Sequence, residues 1–312
     1  MLLRRLMSMR DPGRETGAVS GNLAGGMWIL GAAFCFVVSV SLVKYLGKDV
    51  PPAMQVFIRQ VIALIVLLPW IMRNPVGAFR TRRPGLLFSR SMATSTSMVL
   101  AYYSYQLLPL AEANALSFSR VLWMVPLAIF VLGERVPTSR LIATLGGFAG
   151  VLIILNPGGG EHLPLWPAAA GLFAAFLLAF SLTGVKALTR DHGQLSLLAW
   201  AAVLGALFTL PMALLTGWVM PTAHDGLLLI AMGAASIGTQ YCYIRGLTLG
   251  DASVVAPVDY SRIILTAAFG AIFFGEIPSR ATWAGVAVIV GTTLFITWHA
   301  SRRVAGERAE PA

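Results

Sequence analysis

YYSYQLLPLAEANALSFSRVLWMVPLAIFVLGERVP, residues 102–137, returns in altered form as YCYIRGLTLGDASVVAPVDYSRIILTAAFGAIFFGEIP, residues 241–278. Pro69 and Pro211, Ser119-Arg120 and Ser261-Arg262, and Gly133-Glu134 and Gly275-Glu276 all lie 142 residues apart. The chain is therefore an internal duplication. Around this core run ten apolar stretches, at 27–46, 54–72, 85–107, 113–132, 140–156, 166–186, 195–217, 225–246, 253–274 and 281–299. Each approaches the ~20 residues that cross a hydrocarbon core as a helix. Each copy holds five of them, and an odd number forces the copies into opposite orientations.

Composition agrees. Of 312 residues, 57% are hydrophobic and only 12% charged, against roughly a quarter charged in a soluble domain. Lipid must be the solvent for that much apolar surface. The predicted fold is an all-α integral membrane protein of ten transmembrane helices, built as two inverted five-helix repeats. The repeats span 27–157 and 158–299, flanked by tails at 1–26 and 300–312. The tails are polar and basic and are expected to be disordered. No short apolar core with a small-residue cleavage site precedes the first span, so a cleaved signal peptide is not expected.

The net charge of +10 follows membrane orientation rather than nucleic-acid binding, because the basic residues are scattered over short loops. Arg73, Arg80, Arg82, Arg83, Arg135, Arg140, Lys186, Arg190 and Arg245 fall on the same side as both tails. Lys44, Lys48 and Arg280 fall on the other. The positive side marks the cytoplasm and places both termini there, with the bacterial inner membrane as the expected location.

Four arginines remain inside the spans, Arg59, Arg90, Arg120 and Arg262, together with Asp259. A charge at a helix centre costs at least about 2.5–3.5 kcal/mol on insertion scales, so such residues face a bundle interior or a wet cavity. Arg90 lies close enough to its helix end to snorkel instead. Asp259 and Arg262 are three apart and share a helix face. They read either as a structural ion pair or as a coupled site that substrate or a proton opens. The repeat sets Ser117-Phe118-Ser119-Arg120 against Asp259-Tyr260-Ser261-Arg262. The arginine is duplicated, whereas the aspartate belongs to the second copy alone; Arg59 is matched only by Ala201. An arginine fork suits a carboxylate or phosphate, so this surplus of positive charge favours a ligand with an anionic group. Glu112 is a second candidate partner for the arginines.

Uncharged polar residues accompany them. Arg90, Thr94, Ser97, Ala101 and Ser104 follow helical spacing along one face, with Tyr102 nearby; Asn114, Ser117 and Trp123 follow in the fourth span, and Gln240 and Tyr241 in the eighth. Hydroxyls of this kind either line a cavity or only bond their own helix and its neighbours. Gly146 and Gly150 form a GxxxG spacing that suits close helix packing, within the chain or between two copies in a homodimer. Cys35 and Cys242 have no metal or disulfide spacing and read as small packing residues.

The stretches LLPLAEANALSFS (107–119), VLGERVPTSR (131–140), GFAGVLIILNPG (147–158), VVAPVDYSR (254–262) and FFGEIPS (273–279) resemble the drug/metabolite transporter superfamily, in its EamA-type branch. The resemblance covers about residues 27–298. It implies ten helices, a central cavity and alternating access, with a small-molecule substrate and no cofactor. APVDYSR is also similar to the APxxYxR segment of a bacterial subgroup likened to S-adenosylmethionine and riboflavin carriers.

Inverted repeats of this kind are an architecture of secondary transporters, with substrate held near the bilayer midplane between the copies. On that reading, Arg59, Arg90, Ser97, Tyr102, Asn114, Ser117, Arg120, Trp123, Gln240, Tyr241, Asp259, Tyr260 and Arg262 contact the substrate, and the two halves rock about it. No GxxxxGK[ST] loop is present to use ATP. Proton coupling through Asp259 and simple facilitated exchange both fit. The rival classes lack support: the four histidines sit at span ends or in loops, with no HExxH and no paired intramembrane carboxylates for an enzyme. A scaffold would not need deep arginines, and no selectivity-filter segment points to a channel.

Overall fold

The computed structural model describes residues 12–73, 75, 79, 81, 83–130, 133, 136, 138–155, 163–188, 194–249 and 256–307. Arg80, Arg82, Glu134, Arg135, the Asn156-Pro157-Gly158 stop, His162, Arg190 and His192 lie outside the described residues, as do the chain's first eleven and last five positions. Every described element is helical: α1 (Pro12–Leu46), α2 (Pro52–Arg73), α3 (Pro84–Leu107), α4 (Leu110–Phe118), α5 (Arg120–Phe130), α6 (Thr138–Leu155), α7 (Leu165–Leu188), α8 (Gln194–Leu215), α9 (Ala223–Leu249), a 3₁₀ turn (Ala256–Tyr260), α10 (Ser261–Phe274) and α11 (Arg280–Glu307). With α4 and α5 forming one span, and the 3₁₀ turn and α10 another, these are the ten expected from the sequence.

Helix ends follow local chemistry. Prolines open α2 and α3, where the missing N–H has no intrahelical partner to lose. Gly275 ends α10 with φ 69° in the left-handed region, and the Glu276 N–H returns to the Gly270 carbonyl at 2.9 Å. The expectation of disordered tails is not met over residues 12–26 and 300–307, which continue α1 and α11 as helix.

Seven of the described helices are long and apolar enough to cross a membrane by composition alone; Leu141–Leu155 and Arg280–Phe295 are shorter apolar helices. The remaining span, α3, has the length but is diluted by Arg90, Thr94 and several serines. Large apolar side chains point outward, Phe130 at 83% and Leu215 at 87% exposure, while Gln55, Asn114, Thr209 and Thr266 are wholly buried. That inversion of the soluble pattern is what a lipid surround requires.

The most extensive packing joins the repeats rather than forming within them. α1 lies on α9, α3 on α7, α6 on α11 and α2 on α8. A two-fold axis that exchanges the repeats swaps the first two pairs and maps the last two onto themselves. It likewise maps the α4–α10 contact onto itself. Two bodies of mixed origin result, one of α3, α4, α5 and α7, the other of α9, α10 and α1. Each of these bodies draws helices from both repeats, and they meet through α4 and α10.

Small residues make the joints close. A Cβ on Gly285 would fall 2.6 Å from the Gly150 carbonyl oxygen, and one on Gly150 would lie 3.0 Å from that of Gly285. The GxxxG spacing is thus used inside the chain, between α6 and α11. Cys35 and Cys242 are free thiols that meet between α1 and α9. In the same interface Ser39 and Ser236 share a hydrogen bond of 2.8 Å.

Candidate functional site

Both spans that carry the duplicated arginine are broken just before it. In the first copy, the Ser117 and Ser119 hydroxyls donate to the Asn114 and Leu116 carbonyls at 2.7 Å each. Such bonds compete with the helical ladder. The Ser119 N–H also turns back to Leu116, tightening the chain to an i−3 pattern. In the second copy Pro257, which cannot donate, lies in the 3₁₀ turn and α10 starts at Ser261. Broken helices of this kind occur at membrane depth where the backbone is covered by protein or lines a cavity.

The two breaks meet. Phe118 and Tyr260, 142 residues apart, lie ring to ring with centroids 5.1 Å apart and planes at 32°. Repeat-equivalent residues in contact mark the pseudo-two-fold axis. Beside them Arg262 Nη2 donates to Asp259 Oδ2 at 2.6 Å, and Arg120 Nη2 lies 3.9 Å from the same oxygen. Aromatic faces cover the guanidiniums: Arg262 sits 4.4 Å from the Phe36 centroid and 5.1 Å from that of Phe118, and Arg120 sits 5.3 Å from Phe118. Tyr243 of α9 is close enough to interact with Asp259, Arg120 and Arg262.

Among the described residues one carboxylate thus serves two guanidiniums, with one positive charge in excess. Arg262 holds the short bond and is 10% exposed at its side chain, whereas Arg120 has the longer contact and is 22% exposed. Arg120 is the more exposed of the two, while Nε of Arg262 is buried without a hydrogen-bond partner among the described residues. One turn away Asn114 Nδ2 donates to Thr266 Oγ1 at 3.2 Å, joining the two copies with both residues fully buried.

Other residues singled out in the sequence lie elsewhere. Arg59 donates to the Met98 sulfur at 3.1 Å. Nε and Nη1 of Arg90 are buried, without a hydrogen-bond partner among the described residues. The polar face of α3 makes a helix joint with α7. Ser97 donates to the Ala174 carbonyl at 2.6 Å, Thr94 and Ser181 share a bond of 2.6 Å, and Gly171 makes room for Ser104. The stripe Gly171, Ala174, Ser181 on α7 is the sequence signal for that joint. Tyr102 is in the apolar core, and Trp123 packs edge-on against Phe148 and Phe176. Gln240 and Tyr241 are exposed, with Tyr241 against Trp28 and under Arg245. Glu112 accepts the Thr282 hydroxyl at 2.8 Å rather than an arginine. Phe36 and Phe118 were not singled out; the match of Phe118 to Tyr260 was the available signal. A cavity of about 320 Å³ between Leu87, Phe88, Trp200 and Leu204 is apolar and contains none of these charges.

These placements give Ser97 a packing partner within the protein. Ser97→Ala is expected to lower stability by about 0.5–1.5 kcal/mol, the net worth of a typical hydrogen bond, and to leave ligand affinity unchanged. Paired melting and ligand titration of the purified variant check both halves of that expectation.

Comparison with known proteins agrees with the architecture. The model of the EamA-like transporter family matches residues 23–156 and again 165–298. The chain is 26% identical to the S-adenosylmethionine uptake transporter of Rickettsia prowazekii (strain Madrid E), covering 93% of this chain and 98% of that one. It is 28% identical to the riboflavin transporter of Rhizobium johnstonii, over 95% and 98%. To the pseudopaline exporter CntI of Pseudomonas aeruginosa it is 27% identical, over 83% and 90%. A solved crystal structure at 20% identity shares the fold, with a TM-score of 0.59 over 92% of this chain and 99% of that one. Two family matches across two inverted, interleaved repeats leave one assignment: the chain belongs to the EamA-like transporter family, within the drug/metabolite transporter superfamily, and is a secondary transporter of small metabolites rather than an enzyme.

Proposed function

We propose that this transporter works in the bacterial inner membrane with both termini cytoplasmic, and moves a metabolite bearing a carboxylate or another anionic group, zwitterionic and amino-acid-like. The observation that carries this reading is the sharing of one carboxylate, Asp259, by Arg120 and Arg262 on the pseudo-two-fold axis. A substrate carboxylate supplies the missing negative charge, taking the fork of Arg120 in a bidentate bond. Binding there bridges α5 of one mixed body to α10 of the other, so substrate stabilises their contact and its release lets them separate. Alternating access then follows as rocking of these bodies about the Phe118–Tyr260 contact.

A second reading is favoured by the aromatic lining. Phe36, Phe118 and Tyr260 offer faces to a planar ring. With relatives named for S-adenosylmethionine and riboflavin, this supports a larger nucleoside-like or vitamin-like substrate. Counterflow of labelled amino acids, S-adenosylmethionine or riboflavin into proteoliposomes loaded with the same unlabelled compound separates the two. Trans-stimulated uptake of an amino acid alone supports the small zwitterion, and uptake of riboflavin alone contradicts the anion requirement.

Asp259 is also the group through which a proton would couple, since neutralising it frees Arg262. If it does so, Asp259→Asn flattens the pH dependence of uptake while exchange persists. An unchanged pH profile in that variant leaves facilitated exchange as the mechanism.

A further inference from the structure

Away from the central site, one end of the bundle is held by a second ion pair. Lys44, in the last turn of α1, is bonded to Glu276, just beyond α10. Both residues also reach the corner between α3 and α4. Lys44 Nζ donates to the Leu108 carbonyl at 2.5 Å, and Glu276 Oε2 accepts the Leu110 N–H at 2.9 Å. The two charges come from one mixed body and the corner from the other, so the contact spans the surface along which the bodies separate.

Local structure aims the pair. Gly275, left-handed at φ 69°, turns the chain so that Glu276 folds back over α10. Gly270 leaves the space, since a Cβ there would lie 3.2 Å from Glu276 Oε2 and 3.8 Å from Leu110 Cβ. Pro109 sets the corner, leaving Leu108 with a free carbonyl and Leu110 with an unpaired first-turn N–H. Lysine and glutamate answer those two groups in the only polarity that fits. In sequence, the same residue types recur 142 positions away as Lys186, Gly133 and Glu134, and Gly133 has the same left-handed φ, 65°. The charged half of the device is thus repeated in the other copy, whereas Pro109 of the gripped corner is matched by Asp251.

The geometry points to a latch: Lys44 and Glu276 together grip the main chain at Leu108–Leu110 and hold this end of the transport path shut. The inference rests on the carrier reading above. It is tested by reaching the central site from the latch end. In a background of Cys35→Ser and Cys242→Ser, Ser117→Cys reports access to a membrane-impermeant maleimide in sealed vesicles of each orientation. Lys48→Cys, an exposed position in the turn after Lys44, identifies the latch side whichever way the protein is inserted.

Lys44→Gln and Glu276→Gln each raise the labelling rate of Ser117→Cys from that side on the order of tenfold, the loss of a charge-assisted bond shifting the population toward the open form. The swap Lys44→Glu/Glu276→Lys restores the ion pair but sets a carboxylate against a carbonyl and an ammonium against an N–H, so labelling stays fast. Leu110→Pro removes the gripped N–H with both charges intact and also speeds labelling. Pro109 already has φ −56° and ψ 142°, which a following proline accepts, and this variant decides the matter should the charge variants fail to fold. Wild-type labelling rates in the folded single variants, or a wild-type rate restored by the swap, overturn the latch. Ser117→Cys unreachable from either side in every background overturns the carrier reading itself.

Discussion

Arg262→Ala lowers stability by about 3–5 kcal/mol and abolishes transport, because it strands the Asp259 carboxylate in a buried site beside a single, more distant arginine. The loss of stability alone would not separate structure from function. Replacing both members by apolar residues of similar size, as in Asp259→Leu/Arg262→Met, does. A buried ion pair exchanged for well-packed apolar side chains is often neutral or stabilising. The double variant is therefore expected to recover most of the lost stability, short of the wild type because Arg120 loses its more distant carboxylate, and to remain inactive. Full activity in that variant would show that the pair only holds the helices together.

The second large effect concerns the joint between α6 and α11. Gly285→Ala puts a methyl 2.4 Å from Ile154 Cγ1 and 2.6 Å from the Gly150 carbonyl oxygen. Ile154 could turn away, but the carbonyl is backbone, so the helices must part. Overpacking of this kind costs about 1–3 kcal/mol and more where backbone has to move. Gly226→Ala, which meets nothing within 4 Å, serves as the control and should stay within about 0.5 kcal/mol of the wild type. Reversible unfolding in mixed micelles measures both. Equal stability of the two variants would mean that the helices are not held at this distance.

Much of the fold was legible because the duplication is written in register. A constant offset of 142 fixes which spans correspond, and the odd number of spans per copy fixes their inversion. The break before each arginine was partly legible: Pro257 signals it in the second copy, but in the first it arises from Ser117 and Ser119 bonding backward, which serines in continuous helices also do. The interleaving of the copies was not. It depends on which small residues face which helix, and Gly171, Ala174 and Gly205 look alike in a string until packing assigns them partners.

For the same reason the sequence does not tell whether the polar face of α3 packs on a helix or lines a cavity. Hydroxyls that meet a carbonyl across a joint and hydroxyls that meet a ligand have one sequence pattern. Within the site, the Asp259–Arg262 spacing and the duplicated Arg120 were visible in the sequence. Phe36 was not, since a lone aromatic on an apolar helix carries no mark of the guanidinium it covers. On α9, Ser236 and Tyr243 are seven apart and share a face, while Tyr241 falls on another and is exposed.

The measurement that bears most directly on the account is ligand-dependent melting of the purified protein and of Arg120→Gln. Arg120 is the better choice than Arg262, whose removal disturbs the fold. A compound that binds the folded state raises its melting temperature in a concentration-dependent way. Such a shift is expected with one or more carboxylates or zwitterions, weakened by about tenfold or more in apparent affinity when the guanidinium is lost. A shift produced only by cations or uncharged compounds, or one that Arg120→Gln leaves unchanged, would contradict this expectation and recast both arginines as partners of Asp259 alone.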